Sequence, residues 1–163
     1  MTILLLLIFP CFTVWLIEHW VKRKYSHLIR SGAYPNCVNA LHSTHYFELC
    51  IVDQPLLQVL IQLPHCLQVT GDICVTDQWF KRIYCSSQVL PHQVRLQFTQ
   101  AVLPGHQICV SLRGVSSSHR SSQVWLYTIH GSASKTAAFV LLGVARISTF
   151  PASLQCNRFP GTH

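Results

Sequence analysis

The chain has 163 residues, of which 50% are hydrophobic and only 10% are charged. This length suits one domain with a hydrophobic core, and the abundance of apolar residues excludes a chain that is disordered throughout. The formal net charge is +7, from 12 Lys and Arg against 5 Asp and Glu. The cations are scattered, with no dense run after Lys22, Arg23 and Lys24, so we expect no nucleic-acid partner despite the basic excess.

The N-terminus carries an uncharged, mostly apolar run over residues 2–17. As a helix this run would measure about 24 Å, against about 30 Å for the hydrocarbon core of a bilayer. We therefore predict that residues 1–21 form a hydrophobic helix that anchors the chain in the lipid bilayer, flanked by Lys22, Arg23 and Lys24. Because the positive charges follow the apolar run, the positive-inside rule makes this a single-pass membrane protein with a cytoplasmic body.

A buried core helix of a soluble protein is one alternative interpretation of the same segment, because the span is short, and a cleaved signal peptide is the other. No basic residue precedes the apolar run, and the nearest small-x-small cleavage site lies downstream at residues 31–33, which favours the anchor. If the segment is a signal peptide, the body is secreted or lumenal and its eight cysteines can form disulfides. The first candidates for pairing are then Cys66, Cys74, Cys85 and Cys109.

The rest of the chain divides by composition into three stretches. We expect residues 22–45 to form a basic juxtamembrane linker, residues 46–148 a β-rich body, and residues 149–163 a loosely ordered tail with Pro and Gly and no periodicity. Within the body, short apolar or alternating runs recur between turn signals, which is typical of strands. These runs are residues 47–52, 56–63, 67–76, 79–85, 94–102, 107–115 and 124–129.

The clearest strand pattern lies in the middle of the body. Residues 94–102 and 107–115 alternate apolar with polar side chains, as half-buried strands do, and Pro104-Gly105 between them suits a type II turn. Residues 67–76 have a Gly-Asp break and would suit a hairpin. We expect one antiparallel core that buries Val94, Leu96, Phe98, Ile108, Val110, Leu112 and Trp125.

Residues 137–145 are equally consistent with a buried strand and with a short helix. Many strands at short spacing nevertheless predict a mainly β fold. We expect a small antiparallel sandwich or partial barrel, preceded by the N-terminal hydrophobic helix.

A C-x4-H-x2-H-x4-C spacing contains the only candidate metal ligands that the sequence offers, Cys37, His42, His45 and Cys50. Structural zinc sites use tighter pairs separated by a longer loop, and the central gap here is too short for a finger. In a chain with 8 Cys and 10 His, such clusters arise by chance. We therefore expect no metal and no cofactor.

Catalytic motifs fail in their context. Residues 130–139 resemble a phosphate-binding loop but lack both of its glycines, and the S-x-x-K at residues 132–135 has no companion motifs. The five carboxylates all lie in the first half, ending at Asp77, and no two are spaced to share a helical face. No catalytic residue is predicted, and we expect that the chain is not an enzyme.

The leading hypothesis is a small membrane-anchored, non-enzymatic protein that acts by contact with an unknown protein partner. One alternative is the product of an overprinted or marginal reading frame with little selected function, because each local motif fails and carboxylates are almost absent. The other alternative is a secreted or lumenal, disulfide-bonded β domain that binds a partner.

Overall fold

The computed structural model describes residues 24–37, 43–118 and 123–150, and these form ten β-strands and no helix. The predicted N-terminal helix at residues 1–21, the flanking residues Lys22 and Arg23, and nearly all of the predicted tail lie outside the described residues. The strands are β1 (His27–Tyr34), β2 (Ser43–Cys50), β3 (Leu56–Gln62), β4 (Leu67–Val69), β5 (Ile73–Asp77), β6 (Cys85–Leu90), β7 (Gln93–Val102), β8 (Gln107–Ser117), β9 (Gln123–Ser132) and β10 (Val140–Thr149).

Two antiparallel sheets pack face to face, so the fold is the predicted sandwich. One sheet has the order β1-β2-β8-β4, with β5 also paired to β8, and the other has the order β10-β9-β3-β7-β6. Every second side chain of a strand points into the space between the sheets, because successive side chains face opposite sides. In β2 this places His45, Phe47 and Leu49 inside, while Tyr46 and Glu48 face outward.

The predicted core is confirmed. Val94, Leu96 and Phe98 of β7 are buried, and so are Ile108, Val110 and Leu112 of β8. These two strands lie in different sheets, so the connection between them carries the chain from one layer to the other. Trp125 of β9 is buried as well, against the same core cluster.

Three element predictions need correction. Residues 67–76 do not form a hairpin, because β4 and β5 both pair with β8 and not with each other. Residues 79–84 are not a strand, since the chain turns there and strand pairing resumes only at Cys85. The sandwich also begins earlier than expected, with β1 and the start of β2 falling inside residues 22–45, where a linker was predicted. For residues 137–145 the sequence did not decide between a strand and a helix. In the structure, β10 begins within this segment, at Val140.

Two glycines with positive φ mark places where the backbone requires the absence of a side chain. Gly105 has φ 88°, as the predicted Pro-Gly turn demands, and open space surrounds the position of its missing Cβ. Gly114 has φ 65° at a register shift in β8, and a Cβ there would lie 2.6 Å from the backbone nitrogen of Gly71. Hydrogen bonds from Thr70 and Gly71 to the backbone of β8 hold this approach closed.

The two glycines therefore make a matched pair for mutation. Gly105→Ala should lower the free energy of unfolding by about 1 kcal/mol, the cost of a left-handed Cβ. Gly114→Ala carries the same cost plus about 1–3 kcal/mol of overpacking against a backbone that cannot move aside. Urea denaturation of the two variants measures the difference, and equal midpoints would show that β4 and β5 do not close over Gly114.

Candidate partner-binding site

The three most exposed aromatic side chains of the described residues all belong to the short segment that follows β5. Trp79 is 69% exposed, Phe80 is 88% exposed and Tyr84 is 72% exposed. We call residues 77–84 the aromatic turn. Large aromatic side chains normally bury their apolar surface, so a cluster left in solvent requires an explanation.

Asp77 organises the aromatic turn from its first position. One carboxylate oxygen, Oδ1, accepts hydrogen bonds from the backbone N–H of Trp79 at 2.9 Å and of Lys81 at 2.8 Å. The backbone of Asp77 also accepts from Phe80 and donates to Lys81. An aspartate whose carboxylate accepts a hydrogen bond from the backbone N–H two residues later commonly forms a turn, and here it reverses the chain directly after β5.

This reversal forces Phe80 into the left-handed region, at φ 62°. A non-glycine residue there costs about 1–2 kcal/mol, and a bulky aromatic is an uncommon choice for the position. The strain is maintained because both flanks of the turn are tied down. The backbone N–H of Ile83 donates to Val75 at 2.8 Å, and Gln78 Oε1 accepts from the N–H of Gln107 at 2.8 Å.

A groove of about 770 Å³ lies between the aromatic turn and the connection from β7 to β8. Its floor includes the buried side chains of Val102 and Ile108, and Tyr84 and Leu103 stand exposed at its sides. The groove therefore combines an apolar base with one exposed aromatic side chain, Tyr84, whereas Trp79 and Phe80 of the aromatic turn do not line it. Such a concave surface can accept side chains of a partner molecule.

The groove is positively charged. Lys81 and Arg82 line it and are exposed, whereas Asp77, the one carboxylate of its lining, accepts bonds from two backbone amides. Asp77 is also the last carboxylate in the sequence, so nothing after it offsets the cations.

Three of the four candidate metal ligands, Cys37, His45 and Cys50, are described by the structure, and they do not come together. Cys37 and His45 line one small cavity of about 20 Å³, which has room for about one water molecule. Cys37 is disulfide-bonded, which removes it as a thiolate ligand. Cys50 lies at the opposite end of β2 and on its other face, and His42 lies outside the described residues. The described residues hold no group of three metal-ligating side chains, and the expectation of no metal stays a prediction.

His45 belongs to the core instead. It is 2% exposed, and its Nδ1 lies 2.6 Å from the hydroxyl oxygen of Tyr127, which is itself buried in β9. Burial lowers the pKa of His45 to about 4 and raises the pKa of the Tyr127 hydroxyl. Both groups are thus neutral at pH 7, and their hydrogen bond joins the two sheets.

The cysteines named as first candidates for pairing, Cys66, Cys74, Cys85 and Cys109, are all free thiols, so that expectation is wrong. Burial raises the pKa of Cys85 and of Cys109, which keeps both protonated and unreactive. The disulfide of Cys37 is the feature that the sequence did not single out.

Lys24 is the one residue of the predicted anchor flank that the structure describes, and it is exposed. Within the described ranges, no helix has the length and apolar character needed to cross a bilayer. The anchor at residues 1–21 therefore stays a prediction.

No family model matches the chain, and no curated protein matches it in sequence. Solved structures resemble it in fold. The full-length major pilin SpaD from Corynebacterium diphtheriae aligns with a TM-score of 0.53 at 9% identity, over 77% of this chain and 34% of the pilin. Domains D2 and D3 of the same pilin give 0.51 at 9% identity, over 77% of this chain and 51% of theirs. The collagen-binding subdomain of the Enterococcus faecalis surface protein ACE aligns with a TM-score of 0.49 at 8% identity, over 78% of this chain and 100% of the subdomain.

At these identities the pilin alignments show the fold alone, an antiparallel two-sheet β-sandwich.

The sequence analysis missed the aromatic turn because it interpreted residues 79–85 as a strand. Aromatic residues favour strands, and that preference outweighed the signal next to them. The signal was Asp77, since an aspartate placed just before a bulky pair can bond the backbone beyond it and end the strand.

Proposed function

We propose that this chain is a non-enzymatic β-sandwich domain that binds a protein partner through the aromatic turn. The observation that carries the proposal is Phe80, which is held in a strained conformation with 88% of its surface exposed. Strained backbone persists where the surrounding structure enforces it, and it concentrates at functional sites. Trp and Tyr, which stand beside Phe80, are the residue types that contribute most to binding energy at protein interfaces.

The setting that we propose is secreted or lumenal. Disulfides form and persist in oxidising compartments, and the disulfide of Cys37 favours such a compartment over the cytoplasm. Two of the structural neighbours, with TM-scores of 0.53 and 0.51, are structures of a pilin, and their shared sandwich fold is compatible with a domain that acts by contact.

The test uses the full chain, immobilised, and a library of displayed random peptides from which binders are selected. Phe80→Gly should lower the affinity for a selected peptide at least about tenfold, since it removes an interface aromatic. The same change should not lower the free energy of unfolding, because glycine adopts φ 62° without strain and the phenyl ring buries little surface.

Tyr25→Ala is the matched control, because Tyr25 is 66% exposed and belongs neither to the aromatic turn nor to the lining of the groove. It should leave the affinity unchanged. Selected peptides that bind Phe80→Gly and wild type equally, or a library that yields no binder, would refute the proposal. A loss of both affinity and stability in Phe80→Gly would also refute it, by showing that Phe80 is a structural residue.

A further inference from the structure

Resting on the proposed function, we infer that the groove beside the aromatic turn takes an acidic segment of the partner protein that carries an apolar side chain. The argument depends on what lines the groove. Lys81 and Arg82 present two cations at its side, and both side chains are exposed. Charges arranged in this way select and steer partners of the opposite sign.

The neighbouring carboxylate of Asp77 offsets only one of the two cations, so the charged side chains of the lining still carry a net positive charge. Asp77 Oδ1 accepts hydrogen bonds from the backbone N–H groups of Trp79 and Lys81, which fixes the carboxylate against the turn. No salt bridge joins Lys81 or Arg82 to a carboxylate among the described residues. The two cations are therefore available to carboxylates supplied by a partner.

The base of the groove is apolar, so a ligand that fits it must carry an apolar group as well as charge. Val102 and Ile108 are 7% and 1% exposed, and Leu103 beside them is 58% exposed. An aliphatic or aromatic side chain inserted there would bury apolar surface of both molecules, at roughly 25 cal/mol per Å². The fitting ligand is a peptide in which Asp or Glu residues flank such an anchor.

A single-stranded nucleic acid is the competing ligand, because it also combines stacking with negative charge. Nucleic-acid grooves track the backbone with a series of cations, whereas this lining offers only Lys81, Arg82 and His106 and includes the carboxylate of Asp77. An acidic peptide fits the groove better.

The experiment sequences the peptides that the immobilised full chain selects and synthesises one of them, together with a copy in which Gln and Asn replace Glu and Asp. We expect enrichment of Asp and Glu around an apolar residue, and a loss of affinity of at least about tenfold in the uncharged copy. The double variant Lys81→Glu with Arg82→Glu should lose at least about tenfold as well, more at low salt than at high salt.

The control variant is Lys135→Glu with Arg146→Glu, which makes the same change in net charge at exposed positions outside the groove. It should change the affinity by less than about twofold, as distant screened charges do. Equal losses in the two double variants would overturn the inference, and so would enrichment of neutral or basic peptides.

The outcomes also separate this inference from the proposed function. Peptides whose binding depends on Phe80 but not on Lys81 and Arg82 would leave the proposed function standing and refute the acidic ligand. Binding that depends on none of the three residues, or no selection at all, would refute both. Tighter binding of a thymidine oligonucleotide than of the acidic peptide would refute the inference in favour of nucleic acid.

Discussion

Between pH 6.5 and pH 4 the free energy of unfolding of the sandwich should fall by about 3 kcal/mol because of one buried imidazole, His45. Burial holds its pKa at about 4 in the folded chain, against 6.5 when the chain is unfolded. In that interval the unfolded chain takes up a proton that the folded chain excludes, so acid favours unfolding. The stabilisation is complete above pH 6.5 and is lost as the pH approaches 4.

Urea denaturation at a series of pH values measures this loss. His45→Gln removes the titrating ring while keeping a polar group near the hydroxyl of Tyr127, and it should flatten the profile between pH 6.5 and pH 4. His106→Gln is the control, because it makes the same substitution at an exposed histidine outside the core. A wild-type profile that is flat down to pH 4 would show that His45 is not buried between the sheets.

Leu96→Ala should lower the free energy of unfolding by about 2–5 kcal/mol, the usual cost of a cavity in a packed core. Leu96 is fully buried in β7, which is paired on both sides, with Val59 of β3 and Ser87 of β6 opposite it in register. Close-packed interiors relax only partly around a lost side chain, so most of the cavity should remain.

The matched control is Leu126→Ala, because Leu126 has the same side chain on the outer face of β9 and is 58% exposed. Its removal should change the stability by less than about 0.5 kcal/mol. Equal effects at both positions would contradict the sandwich. A wild-type chain without a cooperative transition would instead favour the overprinted or marginal reading frame, which requires no packed core.

The strands that were easiest to predict from the sequence have one solvent-exposed face and one buried face. In residues 94–102 and 107–115 each apolar side chain alternates with a polar one, and burial on a single face requires that arrangement. The turn between them was equally predictable, since Pro fixes one dihedral angle and Gly105 supplies a positive φ that other residues resist.

Elements that depend on distant partners were missed. β1 has no clean alternation, and it becomes a strand because β2 supplies its hydrogen bonds. The sequence of β4 and β5 suggested a hairpin, yet both strands pair with the longer strand β8 instead of with each other. Between the two pairings, the backbone of Gly71 packs closely against Gly114 of β8. Local sequence carries no information about such competition between pairings.

The candidate site shows the same division. The sequence by itself determined which side chains are apolar, how they alternate, and therefore which face of each regular strand is buried, because the two-residue period of a strand is a local property. Only the tertiary structure decided that Cys37, His45 and Cys50, the three described residues of the candidate metal set, are not gathered into one cluster. It also decided that Trp79, Phe80 and Tyr84 stay in solvent while Trp125 and Tyr127 do not. Whether an aromatic ring is buried depends on what the opposite sheet places over it, and none of the ten described strands covers the turn that Asp77 folds.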